Sequence, residues 1–551
     1  MNTEKDGNMD GDNSSTGKKS STGSVPSLKK NYLYNLIYQI VQFVVPLIVT
    51  PYVSRVLRPE GVGEYSYVYS VITYFTMVVA LGFGIYAQRE VAKCRNDQSA
   101  QTQIFWEVFL LRLMFGVGSA IVLVSLIVSG VFAESTQLFA ICGINILATC
   151  VDIVFIFEGN EQFRRIAVRN TIFKILSVAA IFLFVKKEED LWIYALVMSI
   201  TPVISNFSLW LYLPKMLCRG IKRLHVFRHL LPSLKLFVPT LATVVYAVFD
   251  KTLIKLLTGS EAEVGYYEQA EKMAKIGLTF LTALGTVVLP RNAYYIKIKA
   301  YDKVKENIYI ALRFAFLLGF PLIAGLIVVA PKCVPWFLGA GYERSIFLLQ
   351  LLSLLILPIG LSNVLGMQLL LAMGKDGRYT ISLLTGAAIN IILNLIMIPR
   401  MGAAGAAIAT IIAETTITIL QFVFVRHDLR MKRVLLLTVR YIICSLVMFG
   451  ILFVTARFLE ATVWATILLV TEGVSIYFLL LLISKDPIVF AGISFIFGRF
   501  RKHKPASAPE PSGGETVGAD DNGDAAELSP EREAAATDDA AGAGKDEERA
   551  G

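Results

Sequence analysis

Long apolar segments dominate the chain, and their number constrains the fold more than any other feature. A spanning helix needs about 20 mostly apolar residues. Fourteen segments meet this requirement: 32–54, 65–86, 104–129, 137–157, 168–185, 191–213, 234–257, 273–290, 308–330, 346–371, 380–398, 403–425, 436–456 and 463–483. Charged residues make up only 17% of the 551 residues, against about 25% in soluble domains. The sequence therefore predicts an all-α polytopic membrane protein with about fourteen transmembrane helices.

Lysine and arginine are unevenly distributed among the loops between these segments. They cluster after the even-numbered segments, whereas the alternate loops are shorter and poorer in both residues. Because cytoplasmic loops carry an excess of Lys and Arg, the pattern predicts a multi-pass protein of the cell (plasma) membrane with both termini in the cytoplasm. No basic soluble module interleaved with aromatic residues is visible, so nucleic acid is not an expected partner.

The composition of the chain predicts its division into regions. Residues 1–30 are polar and are predicted to form a disordered cytoplasmic tail. Residues 31–230 and 231–430 are predicted to form two six-helix halves, and 431–485 contain helices 13 and 14. Residues 486–504 resemble a basic segment lying on the inner leaflet. The acidic, alanine-rich residues 505–551 are predicted to be a disordered tail.

An internal repeat relates the first six segments to the next six. The matching pairs, at an offset of about 202 residues, are Val62 and Val264, Gly63 and Gly265, Tyr65 and Tyr267, Arg89 and Arg291, and Arg112 and Arg313. The matched residues are predicted to keep the same side of the membrane. The repeat therefore predicts two pseudo-symmetric six-helix bundles of the same topology, with a substrate path between them.

Arg112 and Arg313 are charges inside predicted spanning helices, where each requires a physical reason. In one interpretation, both side chains extend to the inner membrane interface. In the other, the two guanidinium groups face one central cavity from opposite walls and bind a phosphate, which the planar guanidinium can do in bidentate fashion. The second interpretation makes them the leading candidates for substrate binding.

Polar side chains also form stripes on the first and seventh predicted helices. Such stripes either line a hydrated groove or form hydrogen bonds between helices. Together with arginines of the repeat and of the first helix, they supply the further candidates for substrate binding: Asn35, Gln39, Gln42, Arg55, Tyr246, Asp250, Lys251, Arg89 and Arg291.

Glu414 is an isolated carboxyl near the middle of the twelfth predicted helix. It is either neutral and hydrogen-bonded or a site that couples transport to H⁺ or Na⁺. Asn390 and Asn394, one helical turn apart, can bond a sugar or a neighbouring helix, and the neighbouring helix is favoured. No nucleophile motif, phosphate-binding loop or metal-ligand cluster is visible. The sequence therefore predicts no enzymatic activity, catalytic residue, metal site or cofactor.

Three motifs occur in order along the chain. The run PYVSRVLRPEGVG spans 51–63, Asp250-Lys251 leads to the VGYY run at 264–267, and a third stretch extends from Leu357-Pro358 to Glu414. These motifs resemble the signatures of oligosaccharide flippases, which form the polysaccharide transport family of the multidrug/oligosaccharidyl-lipid/polysaccharide exporter superfamily. The likeness covers about 30 to 485.

The resemblance implies two six-helix bundles plus two extra helices that work by alternating access. It also implies an undecaprenyl-pyrophosphate-linked saccharide as substrate, destined for a surface polysaccharide such as O-antigen or exopolysaccharide. The implied partners are membrane lipid and the polymerase and glycosyltransferases of the same synthesis.

Two other classes of protein are weighed against this interpretation. A multidrug or small-metabolite exporter of the same superfamily would have a smaller, more aromatic cavity with fewer cations. A membrane glycosyltransferase or polysaccharide polymerase would present carboxylates in sizeable outer loops. Here those loops are short and contain no DxD-like pair.

Overall fold

The computed structural model describes residues 28–218, 223–282, 285–429 and 431–490, whose regular secondary structure is entirely helical. We call the helices before residue 218 the first group: α1 (Leu28–Ala80), α2 (Phe83–Lys93), α3 (Gln98–Val128), α4 (Thr136–Cys142), α5 (Ile144–Cys150), α6 (Val154–Gly159), α7 (Phe163–Phe184) and α8 (Leu191–Trp210). The predicted C-terminal tail and most of the predicted basic segment lie outside the described residues, as does the predicted N-terminal tail up to residue 27, since α1 begins at Leu28.

The second group of helices extends from residue 230 to 425 and is followed by two more helices. It consists of α9 (Leu230–Thr258), α10 (Glu261–Thr282), α11 (Gly285–Lys297), α12 (Tyr301–Phe337), α13 (Glu343–Ser353), α14 (Ile356–Ser362), a π-helix (Asn363–Leu371), α15 (Asp376–Met401) and α16 (Ala403–Val425). The final two are α17 (Met431–Arg457) and α18 (Val463–Ile483), and both pack against α12.

Eleven helical stretches among the described residues are long and apolar enough to cross a membrane. One of them, Val44–Lys93, is 50 residues long and contains part of the first predicted span and all of the second. The seventh and eighth predicted spans, which fall in α9, α10 and α11, are not among the eleven. An all-helical polytopic membrane protein is therefore confirmed, whereas the count of fourteen spanning helices stays a prediction.

The boundary between the first two predicted spans is a break inside α1. Arg58 has φ 56° and ψ 176°, values outside the helical region, and Pro59 follows it. A residue before proline avoids the helical region because the proline ring clashes with it. A second break separates α1 from α2 at Gly82, which has φ 73°. A Cβ added to Gly82 would lie 2.8 Å from the carbonyl oxygen of Ser233 in α9, so both the backbone conformation and the packing favour glycine there.

The fourth predicted span is broken into the three short helices α4, α5 and α6. One break is at Gly143, and the other includes Val151 and Asp152. Carbonyl groups freed by a broken helix must find partners inside a membrane protein. Trp210 Nε1 donates to the carbonyl oxygen of Val151 at 2.9 Å, and the guanidinium of Arg112 donates to that of Asp152. A buried cation thus stabilises the break between α5 and α6.

The tenth predicted span is also interrupted. α13 ends at Ser353, α14 ends at Ser362, and the chain continues as the π-helix. Thr418 Oγ1 of α16 donates to the carbonyl oxygen of Pro358 at 2.8 Å, which satisfies part of the irregular backbone. Such π-helices occur frequently at functional sites.

The backbones of α1 and α10 are in contact where the two helices cross. A Cβ added to Gly63 would overlap the backbone carbonyl of Glu261, and one added to Gly265 would overlap that of Pro59. Pro59 and Glu261 are separated by the same 202 residues as the two glycines. The contact between the first and second groups is therefore reciprocal, with each helix contributing the same two repeat positions.

Candidate functional site

Arg112 lies within the first group of helices. It is only 3% exposed, and its Nη1 lies 3.9 Å from Oδ2 of Asp152, whose carbonyl it also binds. Its guanidinium carbon lies 5.8 Å from the centre of the Phe155 ring. Arg112 therefore stabilises the break between α5 and α6, and it is too buried to extend to the membrane interface.

Arg313 binds residues of the two additional helices. Its Nη2 lies 3.0 Å from Oδ2 of Asp486, which follows α18, and its Nε donates to the hydroxyl of Tyr441 in α17 at 2.7 Å. Tyr441 in turn donates to Asp486 at 2.8 Å. Arg112 and Arg313 therefore belong to separate networks in this structure, and their joint role in substrate binding stays a prediction.

The other three candidate arginines are exposed and lie apart from these networks. Arg55 donates to the carbonyl oxygen of Trp336 near the end of α12. Arg291 Nε lies 3.3 Å from the hydroxyl of Tyr295, and Arg89 is exposed on α2. Four further candidates have side chains outside the described residues: Asn35, Gln39, Gln42 and Tyr246.

Asp250 is the centre of a buried polar network in the second group. It is 4% exposed, and its Oδ2 accepts hydrogen bonds from Tyr267 at 2.7 Å and from Thr410 at 2.6 Å. Its Oδ1 accepts one from Asn394 at 2.7 Å, and Asn390 donates to Thr410 at 3.1 Å. Both asparagines thus bond to neighbouring helices, as favoured from the sequence. The carboxylate joins α9, α10, α15 and α16.

A cavity of about 90 Å³ adjoins this network. It is lined by Asp250, Glu271, Lys275 and Glu414, together with apolar side chains of α13 and α14. Glu414 is 7% exposed. The structure therefore brings together two sequence-predicted candidates, Asp250 and Glu414, on the wall of one cavity.

Lys251 belongs to a group of charges between α9 and α10, which we call the lysine cluster: Lys251, Glu268, Glu271, Lys272 and Lys275. Lys251 pairs with Glu268 and lies 3.0 Å from Glu271. Lys272 lies 2.9 Å from Glu268, and Lys275 lies 2.7 Å from Glu271. Three lysines against two carboxylates leave one net positive charge within the bundle.

Two ammonium groups of the lysine cluster are accessible. The side chains of Lys272 and Lys275 are 40% and 55% exposed, whereas that of Lys251 is 13% exposed. Lys272 and Lys275 are three residues apart on α10, which is an arrangement that can bind a phosphate group.

The sequence interpretation missed most of the lysine cluster. It began the eighth span at residue 273 and left 268–272 in a loop. The missed signal is the spacing of three and four residues among Glu268, Glu271, Lys272 and Lys275, which places these side chains on one side of a helix.

A second network fastens the segment between the two groups to α3. Glu107 is fully buried and lies 2.6 Å from His229 Nε2, and it accepts hydrogen bonds from Arg228 Nε at 2.9 Å and from the backbone N–H of His225 at 2.8 Å. The hydroxyl of Tyr86 lies 2.9 Å from His229 Nδ1. The sequence placed these basic residues in a loop and gave no sign of their shared partner.

Comparison with known proteins identifies the class to which this fold belongs. Residues 28–296 match the sequence profile of the family described as "Polysaccharide biosynthesis protein". A protein of Escherichia coli (strain K12) named "Putative O-antigen transporter" is 23% identical over 414 residues, covering 73% of this chain and 97% of that protein.

Solved structures show the same fold at low sequence identity. The structure of "Lipid II flippase MurJ, inward closed conformation" superposes with a TM-score of 0.65 at 18% identity, covering 83% of this chain and 100% of that chain. An inward-facing multidrug resistance transporter of the MATE family, in the MOP superfamily, superposes with a TM-score of 0.53 at 13% identity, covering 74% and 95%.

The fold is therefore the multi-pass helical fold that these two solved structures share. The chain is similar to the polysaccharide biosynthesis family over 28–296, and to a protein named as an O-antigen transporter over most of its length. It is a transporter and not an enzyme, so the alternative of a membrane glycosyltransferase or polymerase is wrong.

Proposed function

We propose that the protein moves undecaprenyl-pyrophosphate-linked oligosaccharide units from the cytoplasmic to the outer leaflet of the cell membrane. The units would serve the synthesis of a surface polysaccharide. Support for the reaction class comes from the family match over 28–296 and from the relative named as an O-antigen transporter. The observation that carries the proposal is the lysine cluster, because it holds accessible cations inside the helical bundle.

The substrate explains why a transporter would need such a cluster. A pyrophosphate cannot cross hydrocarbon as a bare anion at reasonable cost. Lys272 and Lys275 would neutralise it. Glu268 and Glu271 pair with these two lysines while the site is empty. Hydrated ammonium groups bind phosphate as point charges, which suits a headgroup that must also leave.

The proposal includes the finer architecture expected from the sequence. It comprises fourteen spanning helices, two six-helix halves at 31–230 and 231–430, two further helices at 431–485, and both termini in the cytoplasm. The alternation of loop charge supports the orientation. The reciprocal contact of α1 with α10 supports the pairing of the halves and a rocking, alternating-access motion.

Ion coupling and partners complete the proposal. The cavity lined by Asp250 and Glu414 is the candidate for coupling transport to H⁺ or Na⁺, because it holds two carboxyls inside the bundle. The polymerase and glycosyltransferases of the same synthesis are the proposed protein partners.

The test is a flipping assay with the purified protein in liposomes. The variants are Lys272→Gln and Lys275→Gln, and the matched control is Lys305→Gln, a lysine with a 46% exposed side chain on α12. We expect each cluster variant to flip a pyrophosphate-linked oligosaccharide at least about tenfold more slowly, since a hydrogen bond to a charged group contributes roughly 1.5–3 kcal/mol. Lys305→Gln should behave as wild type. Wild-type rates in both cluster variants would contradict the proposed site. Transport of a lipophilic cation in place of the glycolipid would favour the drug-exporter alternative.

A further inference from the structure

A second cavity lies inside the first group of helices, between α1, α5 and α8. Its volume is about 230 Å³, roughly that of seven or eight water molecules at about 30 Å³ each, which suits a single sugar ring. Its polar lining consists of hydroxyl, amide and carboxyl groups: Thr73, Thr76, Asn145, Thr149, Asp152 and Asn206. None of these residues was a candidate from the sequence.

Hydrogen bonds hold the amide groups of this cavity in place. Asn145 Nδ2 lies 2.9 Å from the buried hydroxyl of Ser199. Asn206 Nδ2 donates to the carbonyl oxygen of Ala148 at 2.8 Å, and its Oδ1 accepts from Arg169 at 3.2 Å. Polar groups fixed in this way are ready to bind a ligand without first reordering. Hydroxyl and amide oxygens keep further acceptor capacity after one hydrogen bond.

Asp152 supplies the carboxylate, and the break between α5 and α6 presents it to the cavity. Its Oδ1 accepts a hydrogen bond from the backbone N–H of Val154 at 3.0 Å, and its Oδ2 lies 3.9 Å from Nη1 of the buried Arg112. Its side chain is still 38% exposed. An anchored carboxylate with accessible oxygens is a strong acceptor for adjacent hydroxyl groups.

Tyr69 adds an aromatic surface to the same cavity. It is 45% exposed, and its ring stacks on that of Tyr65 with the centroids 5.8 Å apart. Tyr65 packs edge-on against Tyr194 at 4.8 Å. A sugar ring has apolar C–H faces and a polar rim, so a rigid aromatic face beside hydroxyl, amide and carboxylate groups matches both parts of it.

The cavity differs from the lysine cluster in the sign of its charge. Among the described residues that line it, Asp152 is the one charged side chain. A carboxylate repels a pyrophosphate but accepts hydrogen bonds from neutral hydroxyl groups. We therefore infer that this cavity binds a sugar residue of the lipid-linked substrate while the pyrophosphate is held by cations elsewhere. The inference rests on the proposed function and adds to it a separate site for the saccharide.

Photo-crosslinking tests whether the sugar and the pyrophosphate bind at separate sites. The experiment uses cells whose glycan export depends on the protein. A photoreactive amino acid replaces Thr149 in the cavity, Leu278 beside the lysine cluster, or Ile175, which is 55% exposed on α7 and serves as the control. Cells are fed a radiolabelled sugar, and export confirms that each variant folds. Mild acid then cleaves the bond between sugar and pyrophosphate in the purified adduct.

We expect the adduct at Thr149 to keep its sugar label after acid, because the crosslink is to the glycan itself. If adducts form at Leu278 but the adduct at Thr149 loses its sugar label after acid, the inference is overturned and the proposed function stands. The absence of sugar-labelled adducts at every position would overturn both.

A flipping assay with Asp152→Asn provides a second measurement. The probes are bare undecaprenyl pyrophosphate and the same lipid carrying a disaccharide. We expect the disaccharide lipid to be flipped about tenfold more slowly by the variant, with the bare lipid unaffected. Equal slowing of both probes, with altered dependence on Na⁺ or pH, would identify the cavity as a cation site and overturn the inference.

Discussion

Gly63 and Gly265 lie against the same crossing of α1 and α10, and each would collide with the partner helix if it carried a side chain. The contact pairs position 63 with 261 and position 265 with 59. Two helices that meet through equivalent positions form a self-complementary contact, like a two-fold dimer interface within one chain. The close packing of α1 on α10 therefore requires glycine, which has no side chain, at both positions.

Adding a methyl group at either of these positions should prevent the close packing of α1 on α10. We expect Gly63→Ala and Gly265→Ala each to lower the melting temperature in detergent and to slow transport, because overpacking costs about 1–3 kcal/mol. Gly118→Ala is the matched control, since nothing lies within 4 Å of its added Cβ. Unchanged melting and transport in both crossing variants would show that the backbones separate easily and that the contact is not restrictive.

Asp250 should be more important for stability than Glu414. Asp250→Ala leaves three hydroxyl or amide donors from α10, α15 and α16 without their acceptor, and each such loss costs about 1–3 kcal/mol. Asp250→Asn should be milder, because it keeps one oxygen acceptor. Thermal unfolding of Asp250→Ala, Asp250→Asn and Glu414→Gln should give that order of destabilisation, and the reverse order would contradict the network.

Glu414 and Asp250 should both affect ion coupling, because they line one cavity. We expect Glu414→Gln and Asp250→Asn to flatten the dependence of the flipping rate on pH or on Na⁺, since each substitution removes an ionisable group. The measurement is the rate in liposomes across imposed pH and Na⁺ gradients. A full wild-type response in both variants would remove this cavity from the coupling mechanism.

Arg313 and Asp486 should behave as a coupled pair. Asp486 is fully buried and neutralises part of the charge of Arg313 and Arg440. We expect Arg313→Gln and Asp486→Asn each to destabilise the protein, and the double variant to lose less than the sum, with an interaction energy of about 0.5–3 kcal/mol. Additive effects on melting would mean that the two side chains act independently.

The predicted orientation is open to a direct labelling test. In a background without the six native cysteines, Glu134→Cys and Lys432→Cys place single thiols at exposed positions in loops predicted to lie on opposite sides. An impermeant thiol reagent added to intact cells should label the first and not the second. Labelling of both would invalidate the predicted topology.

The length of the apolar segments and the glycine residues at their ends made several helices predictable from sequence. The predicted spans 403–425 and 463–483 coincide with α16 and α18. Gly402, with φ 59°, marks the start of α16 because few other residues adopt that backbone conformation. The breaks around Asp152 were not predictable, because the residues that replace the lost backbone hydrogen bonds lie on α3 and α8, far away in sequence.

The different partners of Arg112 and Arg313 could not be predicted for another reason. The repeat makes their sequence positions equivalent, but α17 and α18 pack against α12 of the second group and have no counterpart in the first. Equivalent arginines therefore meet different neighbours: a broken helix in one group and a carboxylate after α18 in the other. Internal sequence symmetry predicts backbone position better than it predicts side-chain partners.

The attachment of residues 225–229 to Glu107 has a consequence for how the second group of helices would move relative to the first. The last residues of the connection between the two groups, 225–229, are bound to α3. In the proposed alternating-access motion, these residues would move with the first group. Rocking of the second group would then bend the chain after His229, within α9, which is the helix that also carries Asp250 and Lys251.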